Sequence, residues 1–248
     1  MLNTLYLQNT YGDRKDVNIV TSGGLDSLIT KNVVLEKKRK EIVEQNKKIS
    51  EQDRNILTLF SFPDSFPVFV NVQEIIDQKL AKSIMFTPYG LGFKVAGQKE
   101  KALSKEEFIN IQEKIWQKFK LDEDDFQKSV ASLGYHMLDI QEQYAKSATN
   151  VGDYLLLFYN DVDASKKWYE KALRFYPYDG ANKGLSYYYY TKNDCRTSEK
   201  YINENLYLNS KNKLAYKQLY LLYKNCYKDD KKAENIKKNI KEKFKVEI

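Results

Sequence analysis

The segment 163–177, DASKKWYEKALRFYP, constrains the fold more than any other part of this 248-residue chain. Ala164, Trp168 and Ala172 are spaced four residues apart, so they share one face of a helix with about 3.6 residues per turn. Small alanines beside a large tryptophan allow a second helix to approach closely. Pro177 lacks an N–H donor and ends the helix. The segment therefore predicts an amphipathic helix that packs tightly against its neighbours.

The pattern recurs along the second half of the chain. Trp168 is matched 33 residues later by Tyr201, and Ala181 and Tyr189 are matched 34 residues later by Ala215 and Tyr223. A period of about 34 residues with two helices per unit is the sequence signature of a tetratricopeptide array. We therefore predict repeated helix pairs in this half.

Residues 147–248 resemble the tetratricopeptide family over about three repeats. Asn205 stands where the family prefers alanine, and Ser210 stands where it prefers proline. The resemblance implies a stack of antiparallel helix pairs that binds peptides or supports a larger assembly. It implies no chemistry of its own.

We predict an α+β protein in three parts. Residues 1–100 should form a small α/β layer with a partly parallel sheet. Residues 101–146 should form connecting helices, the first opened by a Ser104–Glu107 capping box. Residues 147–248 should form an all-α array of about three tetratricopeptide-like helix pairs. Within the first part, the candidate strands are Val17–Val20, Ile56–Phe60 and Pro67–Asn71, and Phe86–Ala96 should give a turn and another strand. Residues 25–54 should form one long helix, or two with a break.

Charge and composition exclude several classes of partner. The net charge is +7, and we interpret the lysines as spread along the chain with acidic residues between them. The sequence has no stripe of arginines interleaved with aromatic residues, the pattern that would suggest a nucleic-acid partner. The longest strongly apolar run, Tyr154–Tyr159, is far shorter than the roughly 20 residues that span a bilayer. We therefore expect neither nucleic-acid binding nor a membrane-spanning segment.

The chain has two cysteines and one histidine, which argues against a metal site. Cys195 and Cys226 lie near equivalent places in adjacent repeats. A disulfide between them is an open alternative, but two separate thiols are favoured. His136 has no cysteine, histidine or acidic partner in view, so we do not expect it to be catalytic.

The sharpest local motif is Ser22-Gly-Gly-Leu-Asp-Ser27, which follows a predicted strand and opens a predicted helix. It resembles the SGGxDS loop of the ATP pyrophosphatase family. That resemblance implies ATP bound by Ser22, Gly23, Gly24 and Ser27, with Asp26 helping to hold magnesium. The alternative is a Gly-Gly turn followed by a helix N-cap. No further motif of that family is present, so nucleotide chemistry is an alternative hypothesis.

A second resemblance spans nearly the whole chain. The segment Thr4–Val20, followed by Phe66–Val70 and Thr87–Val95, is similar in order to motifs of the bacterial protein-O-mannosyltransferase-like membrane family. The resemblance implies the soluble C-terminal region of such a glycosyltransferase, facing outside the cytoplasm. Phe66 replaces the family's arginine. The residues expected to transfer the sugar lie in the family's membrane part, so no catalytic residue is carried over.

Tyrosines in the first helices of the repeats suggest a ligand groove. First helices line the concave face of a tetratricopeptide array, and rings with hydroxyls suit peptide or sugar. We assign Tyr187, Tyr188 and Tyr220 to this groove and expect Tyr189 and Tyr223 in the core.

The leading hypothesis is therefore a non-catalytic interaction or scaffold module without cofactor or metal. It would bind a protein, a peptide, a glycan or the membrane part of an O-mannosyltransferase-like glycosyltransferase. The alternatives are a cytoplasmic ATP-using enzyme with magnesium, and a free-standing tetratricopeptide adaptor.

Overall fold

A computed structural model describes residues 33–45, 58, 68–70, 86–95, 101–119 and 135–245. The chain divides into two compact units. The first comprises Met1–Thr87 and Phe93–Ala102, and the second comprises Pro88–Gly92 and Leu103–Ile248.

The described part of the first unit includes the helix α1 (Val33–Gln45), which lies within the helical region predicted for residues 25–54. Thr58 has helical backbone, so the strand predicted at Ile56–Phe60 is wrong at that residue. The other early candidate strand, Val17–Val20, lies outside the described residues.

Three short strands form a sheet of order β1-β3-β2. They are β1 (Val68–Val70), β2 (Phe86–Tyr89) and β3 (Gly92–Val95). Strands β1 and β3 are antiparallel, with Val68 opposite Val95. The prediction of a partly parallel α/β layer is therefore wrong for the described strands.

The antiparallel arrangement follows from the turn between β2 and β3. Only Gly90 and Leu91 connect the two strands, and so short a connection can only reverse the chain. Gly90 has φ +62°, and a Cβ atom there would lie 3.0 Å from Cγ2 of Ile115, so glycine is favoured on both grounds. The sequence predicts a turn and one strand over Phe86–Ala96, whereas the structure has a strand on each side of the turn, and the first of them, β2, contains Pro88. The strand order places β2 at an edge, where proline is tolerated.

The described part of the second unit is helical outside the sheet residues. Its helices are α2 (Lys105–Lys118), α3 (Tyr135–Tyr159), α4 (Val162–Phe175), α5 (Asp179–Thr191), α6 (Cys195–Leu208), α7 (Lys213–Leu221), a π-helical turn (Leu222–Cys226) and α8 (Asp230–Phe244). The predicted capping box opens α2: Glu107 N donates to Ser104 Oγ (3.2 Å), and Ser104 N donates to Glu107 Oε2 (2.8 Å). Helix α3 runs continuously through the boundary predicted at residue 146.

Helices α3–α8 pack as three successive hairpins, α3 with α4, α5 with α6, and α7 with α8. Each hairpin also packs on the next through α4 with α5 and α6 with α7. This arrangement is compatible with a helical repeat array. No helix among the described residues is long and apolar enough to cross a membrane.

The same turn closes all three hairpins. A residue with positive φ, at 160, 193 and 228, precedes an aspartate that caps the second helix. Asp161, Asp194 and Asp229 accept from the backbone N–H three residues later, at 2.8, 3.0 and 2.9 Å. These bonds satisfy amides that would otherwise lack partners at each helix start.

The π-helical turn accommodates one extra residue. The positive-φ residue follows the first residue of α5 by 14 positions, but it follows the first residue of α7 by 15. In a π turn, hydrogen bonds span five residues rather than four, and Tyr227 N donates to Leu222 O at 3.1 Å. The third hairpin therefore closes with the same turn as the others despite its longer first helix.

Tyr169 is the central core residue of the array. Its ring is fully buried between Gly152 of α3 and Gly184 of α5. A Cβ atom would lie 2.7 Å from the ring at Gly152 and 2.4 Å from it at Gly184. The two glycines therefore let three helices meet around one tyrosine.

Candidate binding face

The three tyrosines predicted to line a groove do not share one site. Tyr187 is 44% exposed on α5. Tyr220 is only 8% exposed and packs in a core cluster with Ala233 and Ile240 of α8. Tyr220 is therefore a core residue and does not line a groove.

Tyr188 points in a different direction from Tyr187, as neighbours on a helix differ by about 100°. The ammonium groups of Lys166 and Lys192 lie 5.2 and 5.4 Å from the centre of its ring. This cation–π packing attaches the C-terminal end of α5 to the start of α4. Tyr189 stacks on Tyr201, with 5.6 Å between ring centres.

An open cleft of about 470 Å³ lies beside Tyr188, where α3 turns into α4. Its lining residues are Lys105, Tyr159, Asn160, Asp161, Val162, Asp163, Thr191 and Lys192. Lys105 pairs with Asp161 at 2.9 Å, and Lys192 pairs with Asp163 at 3.1 Å. Because these charges neutralise one another, the cleft offers little attraction to a charged ligand.

Hydrogen bonds, including those of the ion pairs, lower the pKa values of both carboxyl groups. The backbone N–H of Ala164 and then Lys105 hold the pKa of Asp161 below its ordinary value. Lys192 lowers the pKa of Asp163. Both aspartates are therefore anions at neutral pH, and their contacts fix the start of α4.

A buried acid–tyrosine pair also has a structural explanation. Tyr169 Oη donates to Asp153 Oδ1 at 2.8 Å. Burial raises the pKa of Asp153, and the nearby Lys183 partly opposes the shift. Burial raises the pKa of Tyr169 as well. The pair links α4 to α3 at the point where the two glycines receive the ring.

Asn205, which stands where tetratricopeptide repeats prefer alanine, joins three helices. Its side chain is fully buried, and Nδ2 donates to Asp179 O at the start of α5 (2.8 Å). Its Oδ1 accepts from Asn212 Nδ2 at 2.9 Å, and Asn212 caps α7. An alanine at this position would remove both hydrogen bonds.

A covalent bond connects the second and third hairpins. Cys195, at the start of α6, forms a disulfide with Cys226 in the π turn, with 5.8 Å between the Cα atoms. The preference for two separate thiols is therefore wrong. The packing of α6 on α7 and on the π turn brings the two positions to the Cα spacing that a disulfide requires.

Hydrogen bonds reinforce the same junction. Tyr223 donates to Glu199 Oε1, and Tyr227 donates to Glu199 Oε2 at 2.7 Å. Burial and these hydrogen bonds raise the pKa of each tyrosine to about 12. Tyr223 thus contributes to packing between hairpins.

A repeated surface runs across the first helices of the second and third hairpins. Lys183 and Tyr187 of α5 correspond, 34 positions later, to Lys217 and Leu221 of α7. Gln218 Nε2 of α7 donates to Lys183 O (3.4 Å), and Asn225 Nδ2 of the π turn donates to Tyr190 Oη (3.1 Å), so hydrogen bonds connect the two hairpins along this surface. Tyr187 and Leu221 are 44% and 46% exposed. We call Lys183, Tyr187, Lys217 and Leu221 the first-helix face.

Comparison with known protein families, curated proteins and solved structures found no match to this chain. The tetratricopeptide and O-mannosyltransferase-like resemblances therefore rest on the sequence motifs quoted for them.

The nucleotide hypothesis remains a prediction. Ser22, Gly23, Gly24, Asp26 and Ser27 lie outside the described residues. Within the part of the chain that the structure describes, no group of three or more histidine, cysteine or acidic side chains is placed to hold a metal ion.

The sequence analysis identified Tyr187 but not its companions. The 34-residue spacing between Lys183 and Lys217 and between Tyr187 and Leu221 was a readable signal. The groove was assigned from tyrosines alone, and the equivalent of Tyr187 is a leucine, so the repeated position was not recognised.

Proposed function

We propose that this chain is a non-catalytic interaction module whose second unit binds a peptide segment of a protein partner. Its three hairpins would be tetratricopeptide-like repeats. The period of about 34 residues and the recurring aspartate-capped turn support that assignment. The single observation that carries the binding proposal is the first-helix face.

The face combines positive charge with apolar surface. Lys183 and Lys217 are half-buried lysines, so carboxylates of a ligand would meet them in partly desolvated surroundings. Tyr187 and Leu221 offer a ring and an aliphatic side chain to apolar groups of the ligand. The partner that fits is an acidic peptide with interspersed apolar residues.

A displayed peptide library, selected on the full chain, tests this proposal. We expect enrichment of acidic–apolar sequences, and about tenfold or greater loss of affinity in Tyr187→Ala/Leu221→Ser, because hot-spot side chains each contribute more than about 1.4 kcal/mol. Leu157→Ser/Lys167→Gln, which changes exposed side chains on α3 and α4, is the matched control. Lack of enrichment, or equal affinity in all three proteins, would reject the first-helix face.

A second candidate is the soluble region of an O-mannosyltransferase-like membrane glycosyltransferase. The Cys195–Cys226 disulfide favours it, because disulfides persist mainly in oxidising compartments outside the cytoplasm. The β2–β3 hairpin also contains the Thr87–Val95 segment that carries part of the resemblance.

Genomic sequence upstream of residue 1 tests the second candidate. An open reading frame that continues into several apolar segments of about 20 residues each would support it. An in-frame stop codon there, with no neighbouring gene for a membrane glycosyltransferase, would contradict it.

The nucleotide-enzyme alternative has its own test. ATP binding should be measured with and without magnesium in the wild type and in Asp26→Ala. Magnesium-dependent binding that Asp26→Ala abolishes would favour this alternative over the interaction module.

A further inference from the structure

Positive charge is concentrated in the last hairpin. Residues 211–245 contain twelve lysines and four carboxylates, a net charge of +8, whereas the whole chain has +7. Lysines also occur along the rest of the chain, but there acidic residues balance them, so the net positive charge is not spread evenly. The rest of the chain is close to neutral, so any attraction to a polyanion is centred on α7 and α8.

Three large apolar side chains project from the turn between α6 and α7. Tyr207 is 90% exposed, Leu214 is 58% exposed, and Leu208 is also exposed. We call these three residues the α6–α7 tip. A side chain as exposed as Tyr207 contributes little to packing, so this group is available for contact with another surface.

The backbone of the turn is held by hydrogen bonds. Lys211 N donates to Asn209 Oδ1 at 3.1 Å. Asn212 caps α7 by accepting from the N–H groups of Leu214 (3.1 Å) and Ala215 (3.3 Å). The tip is therefore presented by an ordered turn.

Three lysines lie near the tip. Lys243 Nζ of α8 donates to Ser210 O (2.5 Å) and to Tyr216 Oη (2.8 Å). These bonds bring the C-terminal turn of α8, with the exposed Lys245, beside the tip. Lys211 is exposed within the turn itself. The junction of the second and third hairpins thus combines projecting apolar groups with the nearby ammonium groups of Lys211, Lys243 and Lys245.

We propose that the α6–α7 tip docks on an anionic membrane surface. The tyrosine and leucines would enter the boundary between headgroups and acyl chains, and the nearby lysines would contact lipid phosphates and carboxylates. Residues 211–245 contain no arginine, the residue that favours bidentate recognition of bases or single phosphates. A nucleic acid would leave the exposed leucines without a role, so the membrane surface is the better fit.

Co-sedimentation of the full chain with vesicles tests the proposal. We expect binding to vesicles that contain about a third phosphatidylserine, weak binding to pure phosphatidylcholine, and loss of binding as salt rises from about 0.05 to 0.5 M, because salt screens surface charge. Lys211→Gln/Lys245→Gln should weaken binding by on the order of tenfold or more, since each juxtamembrane lysine contributes about fivefold. Tyr207→Ser/Leu214→Ser should weaken it by a similar factor.

Leu157→Ser and Lys167→Gln are matched controls on other helices and should bind like the wild type. Circular dichroism should show that every variant is folded. The proposal would be overturned by equal binding to neutral and anionic vesicles, or by no binding to either. Unchanged binding in both the lysine double variant and the Tyr207→Ser/Leu214→Ser variant would also overturn it. Tighter binding to single- or double-stranded oligonucleotides than to vesicles, lost in the same variants, would assign the surface to nucleic acid and would also overturn it.

Discussion

Replacing Gly184 by alanine should destabilise the protein, although alanine is normally favoured over glycine in a helix by about 1 kcal/mol. The new Cβ would lie 2.4 Å from Cε2 and Cζ of the Tyr169 ring. The ring is fully buried and has Gly152 on its other side, so it has no space to retreat. The helix-propensity gain must therefore compete with a steric clash in the core.

The magnitude follows from three contributions. Overpacking a core costs about 1–3 kcal/mol. Displacing the ring would break the hydrogen bond from Tyr169 to the Asp153 carboxylate, which contributes about 1.5–3 kcal/mol. After the gain in helix propensity is subtracted, the free energy of unfolding should fall by about 1.5–5 kcal/mol.

Urea unfolding followed by circular dichroism measures the loss, and a double-mutant cycle identifies its cause. In a Tyr169→Leu background the ring is absent, so Gly184→Ala should be neutral or stabilising by up to about 1 kcal/mol. A wild-type-like midpoint for Gly184→Ala, or an equal loss in both backgrounds, would refute the clash.

Three further changes test other contacts. Cys226→Ser should lower the free energy of unfolding by about 3–4 kcal/mol, because the disulfide closes a loop of 31 residues; equal stability of oxidised and reduced wild type would contradict this. Asn205→Ala should cost about 2 kcal/mol by urea unfolding, because it leaves buried polar partners unsatisfied, whereas exposed Asn239→Ala should change little. Asp161→Asn keeps a capping side chain but removes its charge. Because the folded pKa of Asp161 lies below the ordinary 3.8, its charge stabilises the fold above that pH, and the stabilisation is lost as pH falls through the folded pKa. Acid unfolding of Asp161→Asn should therefore depend less on pH below about 4, and an unchanged pH dependence would contradict the assignment.

The helical half was predictable because its signals are local. One segment predicts both an amphipathic helix, from Trp168 and Ala172, and the end of that helix, from Pro177. The Ser104–Glu107 capping box likewise depends on residues three positions apart, and it forms as predicted. The repeat period then orders the helices without knowledge of distant contacts.

Other features depend on pairings between distant segments. The sequence predicts strands near residues 67–71 and 86–96 but does not give their pairing, and only the strand order reveals an antiparallel sheet with β2 at an edge. Tyr220 was assigned to the groove because its position on α7 was read without α8, which covers it. The ring of Tyr169 packs against Gly152 and Gly184, which lie on two different helices, so this packing could not be predicted from one segment.

The candidate face was half predictable. Tyr187 was identified from the run of tyrosines, but Leu221 is its equivalent only through the 34-residue register. The Asn-Asp and Lys-Asp pairs that close the hairpins recur in the sequence at 160–161, 193–194 and 228–229. Their meaning became clear from the positive φ of the first residue in each pair.

Hydrogen exchange of the full chain, with and without the selected peptide, tests most directly whether the hairpin array is the binding part of this protein. The account predicts new protection in α5 and α7, centred on Tyr187 and Leu221, and none at residues 22–27. Protection confined to residues 22–27, or absent from both first helices while the peptide is bound, would contradict it.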